Sequence, residues 1–190
     1  MQTAFFLLSG ATVALVMGAS ITMPRNDGYK IDDLGDGIFT ASFSEGGLVN
    51  ATRIDDIKVP VVTEFLPRIG PTRRDMPITR FGCYRESVDH GDWENIRTNF
   101  KNFCDGGAVI PGGGLQYAVS GKQVAFACSW GGNNPCSGGE FDEFLDYINK
   151  NCGGWYGGWV DMDGWAKQYG MQQKGEAICG KADRVQWPKL

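Results

Sequence analysis

The chain has 190 residues, 42% of them hydrophobic and 21% charged, and a net charge of -4. This is a globular composition, for which one domain is the expectation. It lacks the clustered Lys and Arg that bind nucleic-acid phosphates, so no nucleic-acid partner is expected.

Residues Ala4 to Ala19 form an apolar run that is shorter than the roughly 20 residues a membrane-spanning helix needs. Small residues at Gly18 and Ser20 suit a signal peptidase, so residues 1–20 read as a secretory signal peptide cleaved after Ser20. No Lys or Arg precedes the run, which departs from the usual pattern. The alternative, a membrane anchor, lacks the basic stop-transfer cluster that would follow it, so no stable membrane span is expected.

Gly37 to Ser44 alternates in strand fashion, with Phe39, Ala41 and Phe43 on one face. Glu45-Gly46-Gly47 is a turn signal, and Leu48 to Ile54 can pair back as a second strand. Asn50-Ala51-Thr52 in that strand is an N-glycosylation sequon, which makes a glycoprotein one expectation. Pro60, Pro67, Pro71 and Pro77 then prevent a long regular element over residues 55–80. Arg73-Arg74 lies in this linker, where an extended backbone would suit a dibasic processing protease. Residues 21–74 therefore read as an N-terminal hairpin and Pro-rich linker. They are either a pro-region removed after Arg74 or extra strands of the main sheet.

Residues 75–190 read as a cysteine-rich α/β domain. Ile78 to Tyr84 suits a short strand. Asp89 to Phe103 predicts a helix with Trp93, Ile96, Phe100, Phe103 and Cys104 on one face and Asp89 as its cap. Leu115 to Val119 and Gln123 to Trp130 predict a hairpin around Ser120-Gly121-Lys122. Ser137-Gly138-Gly139-Glu140 is a capping box opening a second helix, with Phe141, Phe144, Leu145, Ile148 and Cys152 as its stripe. Trp155 to Val160 is a glycine-broken aromatic run, and a last strand is expected at Glu176 to Cys179. The order strand, helix, strand, strand, helix, strand predicts an α+β two-layer sandwich. It has two helices on one face of an antiparallel sheet in the split β-α-β, ferredoxin-like manner.

All six cysteines, Cys83, Cys104, Cys128, Cys136, Cys152 and Cys179, fall in this block. An even set behind a secretory leader reads as a disulfide framework. Six cysteines allow 15 pairings, and the sequence does not choose among them.

The lone histidine, His90, reads as a first-turn surface residue, because triads and most zinc sites need imidazoles in a fuller set. Glu140, Asp142, Glu143 and Asp146 read as a solvated helix face with a favourable dipole position. Asp161-Met162-Asp163-Gly164 lacks the later ligands of a calcium loop. No catalytic residue, metal or cofactor is expected. Trp155, Tyr156, Trp159 and Trp165 are the candidate binding platform; filling the end of a small core is the alternative.

The leader, the cleavable Pro-rich segment, the six cysteines and the element order over residues 78–180 together resemble small cysteine-rich secreted effectors of fungi. Within that class the chain most resembles the α/β killer-toxin-like and necrosis-inducing secreted families. The resemblance implies a secreted, extracellular, monomeric virulence or toxin-like protein without cofactor or shared catalytic residues. Such a protein would act by binding a host or competitor protein or a cell-surface glycan. The alternative is a secreted carbohydrate-binding protein using Trp155, Tyr156 and Trp159, or a glycosidase using paired acids. A third class, a protease inhibitor, would present Asn133-Asn134-Pro135 as its loop.

Overall fold

Two helices whose capping and apolar spacing are written in the sequence lie against an antiparallel sheet. The computed structural model describes residues 20–22, 29–31, 34–43, 48–54 and 75–180. In chain order the elements are β1 (Ser20–Thr22), β2 (Tyr29–Lys30), β3 (Gly37–Ser42), β4 (Leu48–Arg53), β5 (Arg80–Ser87), α1 (His90–Asp105), β6 (Val109–Ile110), β7 (Gly114–Ser120), β8 (Gln123–Ser129), β9 (Asn134–Pro135), α2 (Gly138–Cys152), β10 (Tyr156–Met162), β11 (Lys167–Gln173) and β12 (Ala177–Ile178). The leader before Ser20 and the pair Arg73-Arg74 lie outside the described residues, as does the Asn50 side chain. Asn50 itself falls in β4, paired with Ser42 of β3 and Ser20 of β1.

Eight strands form one sheet in the order β1-β4-β3-β7-β8-β11-β10-β5, with β2-β12 and β6-β9 as separate pairs. Neighbours in the main sheet are all antiparallel. The α+β class with two helices and a disulfide framework is thus as expected, but the strand order is not ferredoxin-like. Two strands, not one, follow α2 before the chain leaves the main sheet. The second of them, β11, inserts between β8 and β10, which puts β5 at the sheet edge instead of inside it. The expected last strand is β12, and it pairs with β2 outside the main sheet.

Side-chain size decides which face the helices cover. On the hairpin β7-β8, Leu115, Tyr117, Val119, Val124, Phe126 and Cys128 point to one face, where Tyr29, Ile31, Phe39 and Ile178 pack on them. Ala118, Ala125 and Ala127 point to the other face and meet Trp93, Ile96 and Phe100 of α1 and Phe141, Phe144, Leu145 and Ile148 of α2. Helices that bring this many aromatic rings to close-packed density need small residues opposite them. Phe100 of α1 meets Phe141 of α2 edge to face at 4.9 Å.

Asp89 caps α1 as expected, its Oδ1 accepting from the Gly91 and Asp92 N–H groups at 2.9 and 3.0 Å. Ser137 caps α2 by accepting from the Glu140 N–H at 3.3 Å. The capping box is completed through a third residue: the Ser137 N–H donates to the Tyr169 hydroxyl at 3.2 Å, and that hydroxyl donates to Glu140 at 3.0 Å.

The disulfides are Cys83–Cys152, Cys104–Cys136 and Cys128–Cys179. The first fastens the end of α2 to β5. The second joins the end of α1 to the segment leading into α2, so that only one of the two helix ends is tied to the main sheet. All three bridges lie within residues 83–179.

A candidate binding face on β5, β10 and β11

The face of the sheet opposite the helices is ordered in rows across β11, β10 and β5, because register fixes which residues lie side by side. The middle row is Gly170, Trp159 and Gly82. A Cβ on Gly82 would lie 2.6 Å from Trp159 Nε1, and one on Gly170 would lie 2.0 Å from Phe126 Cζ. The two glycines therefore clear the floor on which the indole and the phenyl ring rest, and Trp159 is buried.

One neighbouring row is Gln168, Asp161 and Arg80. The buried Asp161 accepts from Gln168 Nε2 at 2.6 Å and lies 3.4 Å from Arg80, which also bonds Asp163 at 2.9 Å. The two aspartates of the calcium-like tetrad thus flank a guanidinium, and no group of three or more potential metal ligands occurs among the described residues. A cleft of about 210 Å³ opens here between Arg80, Asp161, Asp163 and Trp130.

On the other side of the middle row the β10–β5 register shifts between Tyr156 and Gly158, and Gly157 lies there against Tyr84 and Gln172. A Cβ on Gly157 would lie 2.5 Å from the Met171 carbonyl oxygen, 3.1 Å from Tyr84 Cδ2 and 3.3 Å from Gln172 Cα, so the strands close in on this glycine. Tyr84, Gly157 and Gln172 line a cleft of about 190 Å³ bordered by Glu86 and Glu176. Burial, reinforced by the charges of Glu176 and Asp161, raises the Tyr84 phenol well above its ordinary range, so it keeps its proton.

Beyond this face the chain turns between α2 and β10. Trp155 sits there at φ +66°, a left-handed conformation that is a genuine outlier for so bulky a residue. Its ring stacks on His90 at 3.6 Å and meets Trp93 edge on at 5.9 Å. Its carbonyl accepts from the Val88 N–H at 2.8 Å. Trp155 and Tyr156 each keep 37% exposure, and His90 is exposed as expected.

The four platform residues do not share one surface. Trp155 and Tyr156 flank the start of β10, and Trp159 lies on the helix-free face. Trp165 sits past the far end of β10, packed against the helix-side core with the Lys167 ammonium 5.6 Å from its ring. Alternation along a strand sends residues to opposite faces, a consequence that spacing in a glycine-rich run conceals.

Asp146 lies exposed as expected, but the other three α2 acids are engaged and not only solvated. Asp142 bonds Lys101 at 2.8 Å and Arg97 at 3.3 Å, bridging the helices. Glu143 accepts from the Met76 N–H at 2.7 Å, and Glu140 pairs with the buried Lys167 at 2.8 Å. The Asn133–Pro135 loop is strapped down: Asn133 accepts from the Gly112 N–H, Asn134 donates to Ser129 and to the Trp165 carbonyl, and Pro135 accepts from Lys167. Among the described residues no helix is long and apolar enough to cross a membrane.

No protein-family model, no curated protein and no solved structure matches this chain.

Proposed function

We propose that the protein is a secreted effector or toxin-like protein that acts by binding a host or competitor molecule, through an aromatic edge made by Trp155, Tyr156 and His90. The observation that carries this reading is Trp155: exposed, stacked on the only histidine and held in a backbone conformation that costs energy. Strain of this kind persists where the surrounding structure enforces it, and an exposed tryptophan is a frequent anchor in interfaces. Three disulfides that use all six cysteines are compatible with an oxidising, extracellular compartment, and the resemblance to killer-toxin-like and necrosis-inducing families belongs to the same reading.

The test is retention of the labelled protein on intact host cells and on competitor cells. Trp155→Ala should weaken retention by tenfold or more with an unchanged unfolding midpoint. Equal retention of the two proteins would refute the reading. A second reading, a secreted carbohydrate-binding protein, draws on the cleft beside Gly157, which carries Gln172, Glu86 and Glu176 and whose size suits a small hydroxylated ligand.

A further inference from the structure

We propose that the cleft lined by Tyr84, Gly157 and Gln172 is a subsite for one cationic amino-sugar unit, such as a glucosamine residue within a β-linked oligosaccharide. The inference deepens the carbohydrate reading and is independent of the Trp155 edge.

Gln172 is only 1% exposed, and neither its amide nitrogen nor its amide oxygen has a hydrogen-bond partner in the protein. A buried amide with both functions unmatched is uncommon in folded proteins and calls for an explanation. It lines the cleft together with Tyr84 and with Gly157, against which both of them pack. The cleft is smaller than the usual site for a drug-sized ligand, as befits a single ring.

The lining chemistry narrows the class. The amide offers one acceptor and two donors, and the protonated phenol of Tyr84 adds a hydroxyl. Glu86 and Glu176 bring two carboxylates, and among the described residues no Lys or Arg lines the cleft. A lysine or arginine side chain would satisfy the carboxylates but has no acceptor for the amide N–H groups. A neutral sugar would match the amide but draw nothing from the two exposed carboxylates. Hydroxyl groups that both donate and accept, carried on a ring with an ammonium group, answer both requirements.

The test is calorimetric titration of the intact oxidised protein with a glucosamine tetramer at mildly acidic pH, where the amines are protonated and carboxylates are ionised. The fully N-acetylated tetramer and tetralysine serve as comparison ligands. Saturable binding of the glucosamine tetramer is expected, at least tenfold tighter than of either comparison ligand. Gln172→Leu should lose that binding while unfolding at the same or a higher temperature, and the Glu86→Gln, Glu176→Gln double variant should bind at least tenfold more weakly. Absence of saturable binding, or undiminished binding by Gln172→Leu, would overturn the proposal. Equal affinity for the acetylated tetramer would remove the cationic requirement, and equal affinity for tetralysine would overturn the sugar. Cell retention that depends on Trp155 but persists alongside such a failure would leave the binding reading standing and this subsite refuted.

Discussion

Replacing Glu140 should harm the fold more than replacing its partner Lys167, although the two form a single ion pair. The Lys167 side chain is 2% exposed, and its ammonium has two partners, the Pro135 carbonyl at 2.7 Å and Glu140 at 2.8 Å. Glu140 keeps 23% exposure and also receives the Tyr169 hydroxyl. Glu140→Ala therefore strands a desolvated cation and unfastens the relayed cap of α2. Breaking a buried pair in this way costs about 3–5 kcal/mol, a large share of the roughly 5–15 kcal/mol by which a domain is stable. Lys167→Met removes the buried charge and leaves a carboxylate that reaches water and retains one donor, so the loss should be about 1–2 kcal/mol, the scale of a hydrogen bond to a charged group. The double variant, in which no charge is stranded, should be no less stable than Glu140→Ala alone. Urea unfolding followed by far-UV circular dichroism measures all three. Additive single effects, or a larger loss from Lys167→Met, would refute the argument that desolvation of the ammonium dominates.

Loop-closure entropy ranks the disulfides. Removing Cys83–Cys152, which spans 69 positions, should cost about 4 kcal/mol, and removing Cys104–Cys136, which spans 32, about 0.7 kcal/mol less; urea midpoints of the paired alanine variants check the order. Burial alone would raise the Asp142 carboxyl, but hydrogen bonds from Lys101 and Arg97, together with their charges, hold it below its ordinary range. Its stabilisation is accordingly present above the ordinary carboxylate range and lost as pH falls through the depressed value. Asp142→Asn should flatten the acid limb of a stability profile measured below about pH 4, and an unchanged acid limb would contradict this. Gly170→Ala forces a methyl against the buried Phe126 ring and should cost about 1–3 kcal/mol or more in thermal or urea unfolding.

The helices were legible because their signals are local. Asp89 and Ser137 precede apolar residues at helical spacing, and the turn glycines stand at the right distance. The tail was not. Tyr169 and Met171 alternate correctly along β11, but the residues between them are Gln168, Gly170 and Gln172, so a central strand reads as a polar stretch. In β10, Gly157 and Gly158 break the pattern in the same way. Nor does alternation tell which face of β7 and β8 meets the helices; that follows from volume, once Phe100, Phe141 and Phe144 are placed against Ala118, Ala125 and Ala127. Tyr169 joins the cap of α2 from 29 residues away, and no spacing rule reaches that far. The candidate site depends on tertiary pairing: Gln172, Gly157 and Tyr84 become neighbours only where three strands meet at a register shift that no local pattern announces.

The placement of the cross-links has a consequence for how the molecule comes apart. The strands up to Arg53 are held to the rest by the six residue pairs between β3 and β7, by the β2-β12 pair and by rings such as Phe39 on Tyr117. No covalent bridge encloses them. Amide hydrogens of β3 and β4 should thus exchange with solvent at a lower free energy than those of β8 and β11, through an opening that leaves the cross-linked body intact. A backbone cut between Ile54 and Asp75 would make the protein a two-piece complex. Its integrity would then follow mass action, with dilution alone enough to part the pieces.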